Sequence, residues 1–474
     1  MLFCSEQFLL FYTVVFLAYW ILPWHRVRVW LLLAASFYFY ASWNKWLACL
    51  IVVSTSLDYS LARGMEASRS PRLRRLLVLV SVVANVGLLC YFKYANFFLH
   101  SLQEALHAAG ARTTLPVLSV ILPIGISFYT FEAINYTVDV YRRRVRAERS
   151  LANFMLFILF FPHLVAGPIV RACDFLPQVR RPKHWNWARV NLGVQLILMG
   201  LFKKLAIADR MAQFADPVFA DPSIYNTSAL WIGALACALQ VYCDFSGYTD
   251  MALGMAHLLG YRLAENFNMP FLAPNVAEFW RRWHISLSSW LRDYLFVPLG
   301  GSRGGRWRTY CNLVITMMLA GLWHGAGWNY VLFGFLQGIW LCIHRAFRTW
   351  CTAKPRLAGL LESPPGTAFR VAATFSTLVC TLVIFRATSL DLGFRMLTRM
   401  ATANPGSSAP MQPAGLGYTV AVVVLGHALG WRDNWKKLLA RLPAPVLGFG
   451  YATVLSLALV LAPSASRAFV YFQF

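Results

Sequence analysis

The chain has 474 residues, of which 58% are hydrophobic and only 13% are charged. A soluble domain carries about 25% charged residues, so this composition excludes a typical soluble enzyme, and the 15% aromatic content argues against a disordered chain. The 43 basic residues exceed the 19 acidic ones, which gives a formal net charge of +24. Because Lys and Arg collect in the cytoplasmic loops of polytopic membrane proteins, the charge indicates membrane topology and predicts no nucleic-acid partner.

Apolar stretches recur along nearly the whole chain. They predict an all-α, polytopic integral membrane protein, because backbone groups in lipid must hydrogen-bond within their own helix. We expect a single domain over residues 1–474, with about 10–12 transmembrane helices and further re-entrant or interfacial helices around a central pore or funnel. The predicted spans are 8–24, 29–43, 46–62, 76–98, 116–135, 191–208, 228–245, 371–387, 416–431 and 444–463, with a paired apolar unit over 310–346.

Basic loops predict the orientation of these spans. Arg26 and Arg28 follow the first span, which predicts a periplasmic N-terminus and a first span retained as a signal anchor in the inner membrane. Further basic loops follow the third and fifth spans, and the C-terminal basic loop contains Arg432. The apolar segment 151–170 has basic residues on both flanks and is interrupted by Pro and Gly, so we expect it to be re-entrant or interfacial. The segment 262–309, rich in Arg and Trp and broken by prolines, is expected at the cytoplasmic face.

The sequence LWHGAGWN, Leu322–Asn329, places a histidine between the two apolar arms of the paired unit. Both outer ends of the arms are basic, so His324 is expected at a turn, about 13 residues or roughly 20 Å from the cytoplasmic surface. An ionisable residue at that depth is a functional candidate. His324 is suited to deprotonate a hydroxyl acceptor, and the flanking Trp323 and Asn329 are candidate substrate-binding residues. The alternative is a neutral histidine bonded to a backbone carbonyl at a glycine turn.

The stretch Phe279–Tyr294 (FWRRWHISLSSWLRDY) is basic, amphipathic and rich in Trp. This pattern is typical of an interfacial helix anchored by Trp and Arg. His284 within it is a second candidate catalytic residue if it points inward. Four arginines are candidate substrate-binding residues, because their charge could attract the phosphates of a substrate. They are Arg281, Arg282, Arg292 and Arg303.

Other patterns favour structural roles. The run GGSRGG, Gly300–Gly305, lacks the ending of a phosphate loop and is interpreted as a turn, although Arg303 and backbone N–H groups could meet a phosphate. The acids Glu132, Asp139 and Asp244 lie in or beside apolar runs, where buried acids are expected to pair with Arg. The sequence has no CxxC pair, no HExxH motif and no GxSxG elbow, so we expect no metal and no hydrolase triad.

Together these motifs resemble the membrane-bound O-acyltransferases, and the bacterial polysaccharide-acetylation branch fits best. The resemblance rests on Phe279–Asp293, Pro298–Arg303 and Trp323–Gly325. It is supported by PIGISFYTF (Pro123–Phe131), DVYR (Asp139–Arg142), FPHLVAGPI (Phe161–Ile169) and DFSGY (Asp244–Tyr248), over residues 120–345.

The resemblance implies that His324 is the catalytic histidine and that His284 is a second polar site residue. It implies transfer of an acetyl group across the inner membrane, for O-acetylation of an exported polysaccharide such as alginate. The expected donor is cytoplasmic acetyl-CoA, with no tightly bound cofactor, and the expected partners are periplasmic acetyltransferases or polysaccharide-modifying proteins, with membrane lipid around the chain. Two alternatives stay open: a non-catalytic conduit or scaffold, and an O-acyltransferase with another acceptor (teichoic acid, lipid or protein).

Overall fold

The computed structural model describes residues 3–111, 113–165, 167–410, 413–431, 434–463 and 469. Two residues used in the predictions, Ala166 and Arg432, lie outside the described residues. The described part of the chain consists of helices and their connections, with one isolated β-bridge between Tyr225 and Ser407. The all-α prediction is therefore confirmed.

The chain forms two compact units, one of residues 1–197 and 249–264 and the other of residues 198–248 and 265–474. The prediction of a single domain stays a prediction. The first unit contains α1 (Glu6–Ile21), α2 (His25–Ala41), α3 (Lys45–Ala67), α4 (Pro71–Leu89), α5 (Ala95–Ala108), α6 (Ile126–Tyr141), α7 (Leu151–Leu159), α8 (Phe161–Leu164), α9 (Ala172–Arg180) and most of α10 (Trp187–Leu201).

The second unit contains the remaining helices. They are α11 (Asp209–Ala220), most of α12 (Thr227–Leu258), α13 (Val276–Arg282), α14 (Ile285–Leu291), α15 (Gly305–His324), α16 (Trp328–Thr352), α17 (Pro355–Glu362), α18 (Pro364–Arg386), α19 (Leu390–Ala401), α20 (Pro413–Gly430), α21 (Asn434–Leu439) and α22 (Ala444–Val460). Across the two units, π-helical turns occupy Cys90–Tyr94, Phe202–Ala208 and Arg292–Phe296, and a 3₁₀ turn occupies Pro270–Leu272.

Five described helices are long and apolar enough to cross a bilayer. They are Pro71–Ala108, Trp187–Ala220, Thr227–Leu258, Trp328–Thr352 and Pro364–Arg386. Shorter apolar helices of 10–17 residues cover Glu6–Ile21, Gly415–Gly430 and Ala444–Val460. The chain is thus a multi-pass membrane protein.

The predicted helix over 116–135 is wrong in its first half, because residues 116–125 are not helical. Asn96 holds this extended segment: its amide donates to the Leu118 carbonyl at 2.9 Å and its Oδ1 accepts from the Leu118 N–H at 2.8 Å. Pro123 supplies no N–H, and Gly125 has φ +75°, so α6 begins only at Ile126. Side-chain hydrogen bonds have here replaced the helical ones that the hydropathy predicted.

Neither of the two predicted interrupted segments forms one continuous helix, and their positions relative to the membrane stay predictions. Residues 151–170 form the short helices α7 and α8 with a break at Phe160, and residues 262–309 form α13, α14 and short turns.

Gln337, which is fully buried, ties α13, α16 and α18 together. It accepts a hydrogen bond from Trp280 Nε1 at 3.2 Å and donates one to Thr381 Oγ1 at 2.9 Å.

Helices α15 and α16 form the predicted hairpin. Glycines let them approach closely: a Cβ at Gly334 would lie 2.2 Å from the Met317 carbonyl oxygen, and one at Gly321 would lie 2.1 Å from the Tyr330 carbonyl oxygen. Small residues commonly allow this approach between membrane helices. The packing fixes the tip of the hairpin, where α15 ends at His324.

Candidate active site at a buried histidine pair

His324 is the last residue of α15 and is only 5% exposed. Since α15 has 20 residues, its rise of about 1.5 Å per residue places His324 roughly 30 Å from the basic N-terminal end of the helix. The His324 ring lies 5.0 Å from the Trp323 ring and 5.5 Å from the Phe385 ring, centroid to centroid. The predicted position at the turn between the two helical arms is confirmed, and its depth in the membrane stays a prediction.

His284 lies beside His324 and is fully buried. The two imidazole centroids are 6.4 Å apart, and the Phe245 ring meets the His284 ring edge-on at 4.7 Å. His284 has φ +42°, a left-handed backbone conformation that is uncommon for non-glycine residues. Burial, followed by the nearby His324, lowers the pKa of His284 well below its ordinary value. The structure therefore brings both predicted histidines together.

An apolar cavity of about 30 Å³ adjoins His324. Val241, Trp283, Val379 and Leu382 contribute to its walls. A water molecule needs roughly 10–15 Å³ of such space, so only a small group fits beside the imidazole without movement of the walls.

Trp323 and Asn329 occupy different environments. Trp323 is buried, with its ring 5.7 Å from the His284 ring. Asn329 is also buried, and its amide donates to the Ala387 carbonyl at 2.9 Å. That bond connects the start of α16 to the end of α18, so Asn329 stabilises the packing at the tip of the α15–α16 hairpin. The assignment of either residue to substrate binding stays a prediction.

The four candidate arginines differ in accessibility. Arg281 and Arg292 have side chains 72% and 64% exposed, whereas that of Arg282 is 14% exposed. Arg281 and Arg282 pair with Glu278 at 3.2 and 3.0 Å. Burial alone would raise the pKa of Glu278, but Arg282 and Arg281 outweigh it and hold that pKa below its ordinary value.

The remaining arginines lie beside an acid or in the glycine turn. Arg292 pairs with the adjacent Asp293 at 2.8 Å, and Arg303 is exposed in the turn at Gly300–Gly305. In that turn Gly300 has φ +111° and Gly304 has φ +141°, so the interpretation of this run as a turn is confirmed.

Sequence reasoning missed the partner of Asp244, which is a lysine and not the expected arginine. The Lys204 Nζ lies 2.8 Å from Asp244 Oδ1 and 2.8 Å from Asp209 Oδ1, and all three side chains are at most 3% exposed. Gly247 of the DFSGY motif lets α12 approach α10 closely, since a Cβ on Gly247 would lie 2.8 Å from the Gly200 carbonyl oxygen. The apolar surroundings of Lys204 in the sequence were the available signal, because an unpaired lysine is costly there.

The other two acids are also paired. Glu132 lies 3.3 Å from the Nδ1 of His163 and accepts from the Val170 N–H at 2.9 Å, so the expected arginine partner is wrong here too. Asp139 lies 3.9 Å from Arg144, as expected. Within the ranges that the structure describes, no group of three His, Cys, Asp or Glu side chains is placed to hold a metal ion.

The long apolar helices and the two buried imidazoles beside each other define a membrane protein with ionisable side chains in its interior. The chain belongs to the membrane-bound O-acyltransferase family, whose model matches residues 8–371. The resemblance found in the sequence motifs is confirmed, and the protein is a membrane acyltransferase. Family membership favours the enzyme over the non-catalytic conduit.

Three relatives illustrate the range of the family. A probable alginate O-acetylase of Azotobacter vinelandii is 40% identical over 436 residues, which cover 90% of this chain and 84% of the relative. A peptidoglycan O-acetyltransferase of Helicobacter pylori is 35% identical over 429 residues, covering 83% and 78%. A teichoic acid D-alanyltransferase of Streptococcus thermophilus is 29% identical over 326 residues, covering 63% and 77%.

Proposed function

We propose that this protein takes an acetyl group from acetyl-CoA at the cytoplasmic face of the inner membrane and passes it to an acceptor hydroxyl on the opposite side. The transfer serves O-acetylation of an exported polysaccharide such as alginate. The observation that carries the proposal is the His284–His324 pair at the tip of a hairpin whose two other ends are basic. A group at that tip lies inside the membrane, away from the basic outer ends of the hairpin.

The relatives support the acceptor class. The names of two of them, an alginate O-acetylase and a peptidoglycan O-acetyltransferase, specify acetyl transfer to a carbohydrate polymer. The first of these is 40% identical over 90% of this chain. An alginate-like acceptor is therefore favoured over teichoic acid, lipid or protein.

In the proposed reaction His324 is the general base. Its imidazole accepts the proton of the acceptor hydroxyl as the hydroxyl oxygen attacks the thioester carbonyl. The C–S bond then breaks, the acetyl group remains on the acceptor oxygen, and the imidazolium returns its proton to the CoA sulfur. His284 orients or shares that proton. Burial lowers the pKa of His284, so its imidazole is neutral at physiological pH.

The basic face attracts the donor. The exposed side chains of Arg281, Arg292 and Arg303, together with the partly buried Arg282, draw the CoA phosphates to the entrance. The cavity of about 30 Å³ beside His324 favours a short acyl group over a fatty acyl chain. The N-terminus is periplasmic in this arrangement, and a periplasmic acetyltransferase or polysaccharide-modifying protein receives or relays the acetyl group.

Labelled acetyl-CoA tests the proposal with purified protein in lipid nanodiscs. The wild-type chain is expected to release CoA thiol and to transfer label to an added polysaccharide or partner acceptor. His324→Ala is expected to lower both rates by about 10²–10⁴-fold at unchanged folded yield.

His100→Ala is the control, because it removes an exposed imidazole on α5, in the other unit. It should leave the rate near that of the wild type. Unchanged transfer by His324→Ala would contradict the proposed base. In sealed proteoliposomes, a wild-type chain that moves label across the membrane without releasing CoA thiol would favour the conduit.

A further inference from the structure

We propose that Asn266 is a positioning residue that holds His284 against His324, an inference that rests on the proposed acetyl transfer at this pair. His284 is the N-cap residue of α14, with φ +42° and ψ +54°. A non-glycine residue keeps this left-handed conformation only when its surroundings hold it there. The question is which contacts do so.

Asn266 makes three hydrogen bonds to the two residues that directly follow His284. Its main-chain carbonyl accepts from the Ile285 N–H at 3.0 Å. Its Oδ1 accepts from the Ser286 N–H at 3.1 Å and from the Ser286 hydroxyl at 2.9 Å. Asn266 is 1% exposed, so these bonds are shielded from water.

These bonds replace a helix cap. The first N–H groups of a helix lack partners within it, and the N-cap side chain usually accepts from one of them. His284 makes no such side-chain bond. Asn266, 18 positions earlier, satisfies the N–H groups of Ile285 and Ser286 instead, so the imidazole is not needed as a cap.

The His284 imidazole packs among three other rings. Its centroid lies 4.7 Å from that of Phe245, 5.7 Å from that of Trp323 and 6.4 Å from that of His324. A change of His284 to an ordinary helical or extended backbone would turn its Cα–Cβ bond and move the ring out of this cluster. A second hydrogen bond, from the Asn268 N–H to the Arg282 carbonyl at 2.9 Å, also holds the segment that contains Asn266 beside the segment that contains His284.

The side-chain contribution of Asn266 comes through its oxygen. Among the described residues its Nδ2 has no hydrogen-bond partner. An aspartate at this position retains an acceptor oxygen for both Ser286 bonds, whereas an alanine retains none. The pair Asn266→Asp and Asn266→Ala therefore separates loss of the acceptor from loss of the amide.

The test measures kcat and KM for acetyl-CoA by CoA thiol release, per folded molecule, in nanodiscs. Asn266→Ala is expected to lower kcat about tenfold with KM within about twofold, because a displaced His284 affects the reacting geometry and not donor binding. Asn266→Asp should recover most of the loss. In a His284→Gln background, Asn266→Ala should cost less than about twofold, because coupled residues are not additive.

Asn85→Ala is the control for loss of a buried asparagine. Asn85 lies in the other unit, is 2% exposed, and donates to both carboxylate oxygens of Asp58. It should lower the melting temperature and leave kcat per folded molecule unchanged. If Asn266→Ala does not fold, Ser286→Ala removes one of the three bonds and should give a smaller fall in kcat that again disappears in the His284→Gln background.

An equal loss from Asn266→Ala in both backgrounds would overturn the positioning role, as would Asn266→Asp behaving like Asn266→Ala. Full activity of His324→Ala would instead overturn the proposed function, whatever the Asn266 variants do. The two failures are therefore distinguishable.

Discussion

Two buried ionisable clusters in the second unit contrast sharply in their surroundings. At Lys204, opposite charges lie 2.8 Å away on Asp209 and Asp244. At His284 and His324, aromatic rings lie at centroid distances of 4.7–5.7 Å. Both clusters are almost completely buried.

The difference separates a structural cluster from a reactive one. A charge removed from water is tolerated when a partner of opposite sign compensates it, and it then holds helices in register. Burial holds the pKa of the His284 imidazole well below its ordinary value, and a neutral imidazole can accept a proton. The comparison predicts that the histidines govern rate and that Lys204 governs stability.

The largest effect is expected at His324. His324→Gln keeps a polar side chain of similar size but removes the basic nitrogen, and it should lower kcat for acetyl transfer by about 10²–10⁴-fold. His284→Gln should lower kcat less, because His284 only orients or shares the proton that His324 accepts. Rates per folded molecule and melting temperatures check both variants. A large fall in melting temperature for His324→Gln would make His324 a structural residue like Lys204.

The next effect is expected at Lys204. Lys204→Met leaves two carboxylates buried without their cation, and it should destabilise the protein by about 3–5 kcal/mol. Combining it with Asp209→Asn and Asp244→Asn should recover much of that loss, since no uncompensated charge remains. Thermal unfolding in detergent measures both variants. A triple variant as unstable as Lys204→Met alone would contradict charge compensation as the reason for the cluster.

A smaller effect concerns pH. Because the pKa of His284 is lowered in the folded state, the unfolded chain takes up a proton first as pH falls below about 6.5. The stability contributed by the neutral imidazole is thus present above that pH and is lost on acidification, with a slope of at most about 1.4 kcal/mol per pH unit. His284→Gln should flatten the decline of melting temperature between about pH 6.5 and 5. Identical pH profiles would show that His284 is not held neutral by the fold.

The smallest effect concerns the cavity beside His324. Leu382→Ala enlarges its wall and should raise the rate with propionyl-CoA relative to acetyl-CoA by a few fold, since one methylene in an apolar pocket is worth roughly 1–3 kcal/mol. Competition between the two donors measures the ratio. Leu360→Ala on α17, whose side chain is 65% exposed, is the control and should leave the ratio unchanged. An unchanged ratio in Leu382→Ala would mean that the acyl group lies elsewhere.

The sequence alone was sufficient for the features set by local pattern. Helical hydropathy predicted the hairpin of α15 and α16, and the basic residues at both outer ends placed His324 at its tip. The Pro and Gly interruptions predicted broken segments at 151–170 and 262–309. These features depend on residues a few positions apart, and the backbone in lipid has few alternatives to a helix.

Only the tertiary structure decided which distant groups meet. The packing of separate helices joined Lys204 to Asp244, set Phe245 against His284, and brought Asn266 to the start of α14. Asn96 makes two hydrogen bonds to Leu118 in the non-helical segment 116–125. Hydropathy records the preference of each segment for lipid, but the partner of a buried polar group depends on which helices lie beside it, and that is fixed by packing across the whole chain.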